Sequence, residues 1–313
     1  MPAKSTRGKM TLAKQMCEVI PQHMVPKLAR QHEIDARKFS AWSHVTAHIC
    51  GQVTHAVGLN DICDGLELNS SSLRAIRGAT PPKRNTFSHA NRTRDSQMAE
   101  ALYWQMVEHL PRVAPSFAAR KIRSGYLRRF NTAIHAVDST TIHLVANCMD
   151  WAKHRRRKAA AKCHMNLNLQ TMLPRYAVVD TARFHDSKKA WEVCGVLQDG
   201  EIAVFDKAYV DFDHLADLDA RGVWWVTRAK DNMRYHALKN LAKGDDVIIK
   251  DQIVTLKGRK GMRVRRVEAW DPNSDRDRVR DLLRKDDRFG RHRHEEQLNT
   301  EVVELALEVL DGR

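Results

Sequence analysis

Apolar residues in the first third of the chain recur at helical spacing. From Ser40 onward, Trp42, Val45, Ile49, Val53 and Val57 follow at steps of three and four, which is one stripe of an amphipathic helix. Gly58 is placed to stop that helix, and Asn60 to cap a short successor from Asp61 to Leu66. Ser70 to Ser72 and Pro81-Pro82 read as loops. Ser88 can cap a helix that reaches about His109, with Met98, Leu102, Met106 and Leu110 along one side, before Pro111 and Pro115 end it. The pattern predicts a helical N-terminal domain over residues 1–130.

Near residue 131 the spacing changes. Thr132 to Val137 is a short β-favouring run that meets Asp138-Ser139-Thr140-Thr141, and Ile142 to Val145 follows. Cys163 to Gln170 and Arg175 to Asp180 flank a turn signal at Thr171-Met172-Leu173-Pro174, which predicts a hairpin. Residues 188–198 look helical, Ile202 to Phe205 is a compact apolar strand running into Asp206, and residues 211–221 look helical again. Val223 to Thr227 is a further buried strand, on which the adjacent Trp224 and Trp225 face opposite sides. Hairpin, helix, strand, helix, strand predicts a mixed α/β sheet. Residues 247–270 alternate apolar and polar on both sides of Lys257-Gly258-Arg259-Lys260-Gly261, which predicts an added β-hairpin or small β-subdomain. The core domain then spans 131–270, with a β insertion at about 243–270. Residues 271–313 hold 9 Lys/Arg and 12 Asp/Glu. Its 271–295 part reads as a solvated charged tail and 296–310 as a final helix.

Charge adds a partner class. Lys and Arg number 53 against 38 Asp and Glu, for a net charge of +15, and residues 1–130 alone contribute +11. Such a balance favours a polyanion through counterion release. The helical leader can serve as a helix-turn-helix-like DNA binder or as a scaffold or dimerisation module. The run Lys153 to Lys162 holds six Lys/Arg and no acid. Within it Arg155, Arg156, Arg157 and Lys158 are candidates for phosphate contacts, or for a solvated loop. No apolar run approaches the roughly 20 residues of a membrane helix, and no apolar stretch follows the basic N-terminus, so a cytoplasmic chain without a signal peptide is expected. The six cysteines form no C-x-x-C pair and are expected reduced and packed.

Asp138 and Asp206 carry the candidate chemistry. Each follows a short apolar strand, and if the strands are neighbours both carboxylates emerge at one sheet edge. Two or three such groups can hold a pair of divalent ions for phosphodiester displacement. The competing reading is that Asp138 caps a turn and Asp206 starts a helix.

Val137-Asp138-Ser139-Thr140 and Phe205-Asp206-Lys207-Ala208-Tyr209 resemble the two Asp motifs of DDE transposases of the insertion-sequence 4 type. Trp151-Ala152-Lys153, Lys162-Cys163-His164, Leu173-Pro174 and Phe184-His185-Asp186-Ser187-Lys188 resemble that family's connecting blocks in the same order. Arg37-Lys38-Phe39-Ser40-Ala41-Trp42 and Leu59-Asn60-Asp61-Ile62 resemble its helical leader. The resemblance spans roughly residues 10–270. It implies an RNase H-like mixed sheet with flanking helices, preceded by an α-helical DNA-binding domain. It further implies Asp138 and Asp206 as catalytic metal ligands, Mg²⁺ or Mn²⁺ as cofactor, and Lys207 and Tyr209 facing DNA phosphate. The implied partners are double-stranded DNA at terminal inverted repeats and a second copy of the chain in a synaptic dimer, at a bacterial nucleoid.

The resemblance also implies a third carboxylate in a helix patterned Tyr, two residues, Arg, three residues, Glu, six residues, Lys. The last tyrosine is Tyr235, so that pattern does not occur after residue 270. Glu295, Glu296 and Glu301 lie at a comparable distance without matching neighbours. A frameshift or truncation is one expectation for this end, and an inactive DNA-binding remnant is the alternative function.

Overall fold

The computed structural model describes residues 6–36, 38–115, 132–144, 153–154, 158–181, 186–230, 232–241, 248–257, 262–270 and 279–285. The chain divides into two compact units, Met1–Val113 and Ala114–Arg313.

The first unit is helical: α1 (Thr6–Val19), α2 (Met24–Gln31), α3 (Ala41–Thr54), α4 (Leu59–Leu68), α5 (Ser70–Arg74), α6 (Arg84–Thr93) and α7 (Gln97–Val113). Ser40 caps α3, its hydroxyl accepting the Ser43 N–H at 3.0 Å. The helix stops earlier than the sequence pattern predicts. His55 turns left-handed at φ 55° and closes the last turn, and Val57 beyond it is 97% exposed. The deepest face of α3 is also not the Trp42–Val53 stripe. It is the run of small residues Ser43, Thr46, Ala47, Cys50 and Gly51, with Trp42, Ile49 and Val53 packed at its margins. Small residues win here because α4 comes so close: a methyl on Gly51 would sit 2.7 Å from Ile62 Cδ1.

Gly58, not Asn60, caps α4, and the Asp61 carboxylate reaches back to accept the Gly58 N–H at 3.0 Å. Ser70 to Ser72 form the start of α5 rather than a loop. The single helix predicted from Ser88 to His109 is two. Arg94 adopts an extended backbone, and Asp95 accepts the Gln97 N–H at 2.9 Å to begin α7. That helix carries Pro111 in its last turn and ends at Val113.

The second unit is built on one mixed sheet. Its strands are β1 (Ile134–Leu144), β2 (Lys153–His154), β3 (Lys158–Asn168), β4 (Leu173–Thr181), β5 (Ile202–Phe205), β6 (Trp224–Arg228), β7 (Tyr235–Asn240), β8 (Ile248–Leu256), β9 (Arg263–Trp270) and β10 (Val279–Lys285). The order is β2-β3-β1-β5-β6-β10-β9-β8-β7, with β4 also on β3. β1, β5 and β6 run parallel, and β3 lies antiparallel to both β1 and β4. Two helices, α8 (Asp186–Val193) and α9 (Phe212–Ala220), follow β4 and β5. Strands this buried read as continuous apolar runs, and all four residues of β5 are buried. Val137, Ala203, Phe205 and Trp225 share one apolar cluster with Ala190, Val193, Leu215 and Leu218, so both helices cover the same sheet face. This is the RNase H-like arrangement, a parallel centre flanked by an antiparallel hairpin with helices in the crossovers.

Two expectations change. The predicted hairpin over 247–270 is present as β8 and β9, paired antiparallel, but it is not set apart from the core: β10, β9, β8 and β7 continue the core sheet past β6. Part of the charged end belongs to it: Val279–Lys285 pairs with β6 on one side and β9 on the other. The expected final helix over 296–310 lies outside the described residues.

Candidate active site

Asp138 lies inside β1, not at its end. The parallel pairing of β1 with β5 finishes at Val137↔Phe205, but β1 runs on beside β3 through Asp138↔Met165 to Leu144↔Ala159. The backbone of Asp138 is therefore held in the ladder, and the turn-capping reading is removed. Asp206 follows Phe205 with an extended backbone, φ −72° and ψ 161°, before a 3-10 turn at Lys207–Tyr209. It occupies the capping position of that turn, yet its side chain makes no capping hydrogen bond.

The register sets the two carboxylates side by side. Val137 and Phe205 are paired neighbours whose side chains enter the same apolar cluster. One residue further, alternation turns Asp138 and Asp206 to the opposite face on strands about 4.8 Å apart. Of the described helices in this unit, both cover the Val137–Phe205 face, so the aspartates share the other. Asp138 is exposed and Asp206 half-buried.

Behind them lies a buried polar network. The Tyr209 hydroxyl is 2.8 Å from His164 Nδ1 and also takes a hydrogen bond from Ser139, the residue after Asp138. Lys162 Nζ donates to Asp186 Oδ1 at 2.6 Å, and that oxygen is 4.0 Å from His164 Nδ1. Burial holds the Tyr209 phenol above its ordinary value; Ser139 opposes the shift, and the Asp186 and Asp138 charges add to it. Burial also lowers the His164 imidazole, with Asp186 pulling the other way. A protonated phenol then donates to a neutral ring nitrogen, which satisfies both groups in the interior.

This corrects one expectation. Tyr209 is 1% exposed, so it presents no surface to a phosphate; its ring packs with Phe205 and Val210 while its hydroxyl serves the network. Lys207 on the same turn is exposed. His164, 2% exposed, is an interior residue and not a free ligand. The backbone of Lys158 begins β3, whereas Arg155, Arg156 and Arg157 lie outside the described residues, as do Trp151, His185, Glu295, Glu296 and Glu301. The network was not legible in the sequence as a unit. Its signal, Lys162 and His164 two apart on a strand, becomes meaningful only once β3 is known to lie beside β1.

The donor set fits a hard divalent cation, since two adjacent carboxylates supply oxygen and no sulfur or imidazole joins them. Among the described residues no group of three or more His, Cys, Asp or Glu converges to hold a metal. The described cysteines Cys17, Cys50, Cys63 and Cys194 are buried, Cys163 is half-buried, and all are unbridged. No described helix is long and apolar enough to cross a membrane.

Residues 9–76 match a domain of unknown function (DUF4372). The "Probable transposase for insertion sequence element IS5377" of Geobacillus stearothermophilus is 27% identical over 146 residues, covering 47% of this chain. The chain spans 37% of that relative's length. Residues 130–300, more than half of the chain, match the family described as "Transposase DDE domain", so the resemblance runs past Trp270, and the chain belongs to the transposase DDE-domain family.

Proposed function

We infer that this chain is a DNA transposase of the insertion-sequence 4 type, which cleaves phosphodiesters at the ends of its element and joins the freed strand to a target. The observation that carries the reading is the placement of Asp138 and Asp206 next to each other, on one face, at the point where two parallel strands stop pairing. Asp138 and Asp206 are the residues that would hold Mg²⁺ or Mn²⁺, which when bound supplies charge neutralisation and Lewis-acid activation for in-line displacement at phosphorus. The protein's part is preorganisation. Val137 and Phe205 anchor the two strands in the core, the Ser139–Tyr209–His164 chain pins the turn after Asp206 to the strand bearing Asp138, and exposed Lys207, next after Asp206 in the chain, serves as a cation for the DNA backbone. Arg155, Arg156, Arg157 and Lys158 are further phosphate contacts on this reading. The partners are double-stranded DNA, the element's terminal repeats, and a second copy of the chain in the synaptic complex.

The test is a nicking assay of the purified chain on duplex DNA carrying the element's ends, with Mg²⁺ or Mn²⁺. Asp138→Asn and Asp206→Asn should each lower cleavage on the order of 10³-fold, several kcal/mol of transition-state stabilisation, and leave DNA binding in place. Cleavage that survives either substitution would sink the assignment. A second reading, a DNA-binding remnant without cleavage, is favoured by the one observation that the Tyr–Arg–Glu–Lys helix pattern does not occur after residue 270, the last tyrosine being Tyr235. It predicts binding with no metal-dependent cleavage in the unaltered chain.

A further inference from the structure

The longest acid-free stretch of the helical unit runs from residue 68 to 94. It holds Arg74, Arg77, Lys83, Arg84, Arg92 and Arg94 and no Asp or Glu. At its centre α6, with the sequence RNTFSHANRT, meets the rest of the unit through few residues. Phe87 is 0% and Ala90 4% exposed. Two more residues on that side are tied inward. Asn91 Oδ1 lies 2.6 Å from His44 Nε2 and 3.0 Å from His48 Nε2, both on α3. The Arg94 guanidinium donates to the Phe39 and Ser40 carbonyls and stacks on the Phe39 ring at 5.2 Å. Residues 87, 90 and 91 lie on one stripe of a 3.6-residue helix, and Arg94 stands at its C-terminal end.

Everything on the far side is polar. Asn85, His89 and Arg92 stand at i, i+4 and i+7 on the opposite stripe and are exposed, with Thr86 and Thr93 beside them and Lys83 and Arg84 at the entry to the helix, also exposed. A ten-residue helix whose solvent face combines cations with amide, imidazole and hydroxyl groups, and no carboxylate, is complementary to a duplex. The cations meet phosphates, while Asn, Arg and His reach hydrogen-bonding edges of bases in a major groove wide enough for one helix. The other described helices of this unit offer less: α1, α4 and α7 carry Glu18, Asp61, Asp64, Glu67, Glu100 and Glu108, α3 has no Lys or Arg, α5 has five residues, and α2 exposes Lys27, Arg30 and Gln31 with Pro26 but no hydroxyl or imidazole.

We propose that α6 is the sequence-reading element of this chain, inserting its Asn85–His89–Arg92 face into the major groove of double-stranded DNA while Lys83 and Arg84 bind the flanking phosphates. The Asn91 and Arg94 contacts tie the helix to α3 and to the Phe39–Ser40 backbone, which lowers the ordering cost of presenting this face. The proposal rests on the transposase reading for its partner and adds the element and residues that choose the sequence.

The experiment is selection of bound sequences from a randomised 30-bp duplex library by the full chain, followed by affinity measurements on the selected duplex and on a scrambled one. The unaltered chain is expected to enrich one motif. Asn85→Ala with His89→Ala, and separately Arg92→Ala, should weaken the selected duplex roughly ten- to a hundredfold and the scrambled duplex little. Lys83→Ala with Arg84→Ala should weaken both duplexes alike and flatten the salt dependence by about two contacts. Lys27→Ala, an exposed cation on α2, is the control and should change neither. Thermal unfolding of each variant verifies that the fold is intact, as substitutions on an exposed face predict. If the Asn85, His89 and Arg92 variants keep the motif and the affinity, the proposal for α6 is overturned and the transposase reading stands. If the unaltered chain binds no duplex at all, the DNA reading itself fails and the proposal falls with it.

Discussion

The Tyr209 hydroxyl lies 2.8 Å from His164 Nδ1, which joins the turn that follows Asp206 to the strand that runs beside the one bearing Asp138. Ser139 completes the link, since it neighbours Asp138 in sequence and hydrogen-bonds the same phenol. Two candidate ligands from distant parts of the chain thus share one buried anchor.

Removing the anchor should loosen the site without emptying it. Tyr209→Phe leaves the His164 nitrogen and the Ser139 hydroxyl short of a partner and should cost about 1–2 kcal/mol of stability. Cleavage should fall roughly 10- to 100-fold and the Mg²⁺ concentration for half-maximal cleavage should rise, while affinity for DNA stays unchanged. An unaltered metal requirement would show that Tyr209 acts in packing alone.

Lys207 gives a separable electrostatic prediction. Its side chain is exposed beside Asp206. Lys207→Ala should weaken binding to all duplexes alike and reduce the slope of log affinity against log salt by about 0.9. A titration at several salt concentrations reads the slope directly, and an unchanged slope removes Lys207 from the interface.

Acid should unfold the second unit through His214. This residue of α9 is 0% exposed, packed near Trp191 and Phe205, and neither ring nitrogen has a hydrogen-bond partner among the described residues. Burial pushes its imidazole down from 6.5 to about 4; Asp217 opposes the shift, Arg221 adds to it and Asp211 opposes it. The unfolded chain therefore takes up the proton first. Stability is complete above about 6.5 and declines as pH falls from there toward 4, by on the order of 3 kcal/mol. Denaturant melts between pH 7.5 and 4.5 should show this loss. His214→Leu should flatten it; an equally steep decline in the variant would point to other groups.

Gly51 tests the close approach of α3 and α4. Gly51→Ala places a methyl 2.7 Å from Ile62 Cδ1 and should destabilise the helical unit by about 1–3 kcal/mol. Adding Ile62→Val, which removes that terminal carbon, should recover most of the loss in a thermal melt. Failure to recover would place the strain elsewhere.

Much of the fold was legible in the chain itself, and the errors have a common form. The Cys163–Asp180 hairpin, the Ile202–Phe205 strand and the strand at Trp224 and Trp225 follow from local alternation and turn residues, and the structure contains β3, β4, β5 and β6 there. The misjudged boundaries fell where a distant group decides. α7 starts where it does because Asp95 caps it and Arg94 is held by Phe39, 55 residues away. Val279–Lys285 looked like solvated charge because nothing local reveals that β6 and β9 stand on either side of it.

The sequence by itself determined the helical basic leader, the α/β character of the core and the two aspartates, because side-chain periodicity and an acid behind an apolar run are properties of neighbours along the chain. Only the tertiary structure decided what those residues do together. It put Asp138 and Asp206 abreast by pairing β1 with β5, took Tyr209 away from solvent by turning it toward His164, and exposed one polar face of α6 by burying Phe87 and Ala90. Each of these depends on which segments meet across long stretches of chain, and a one-residue change of register would turn the same aspartates to the opposite face.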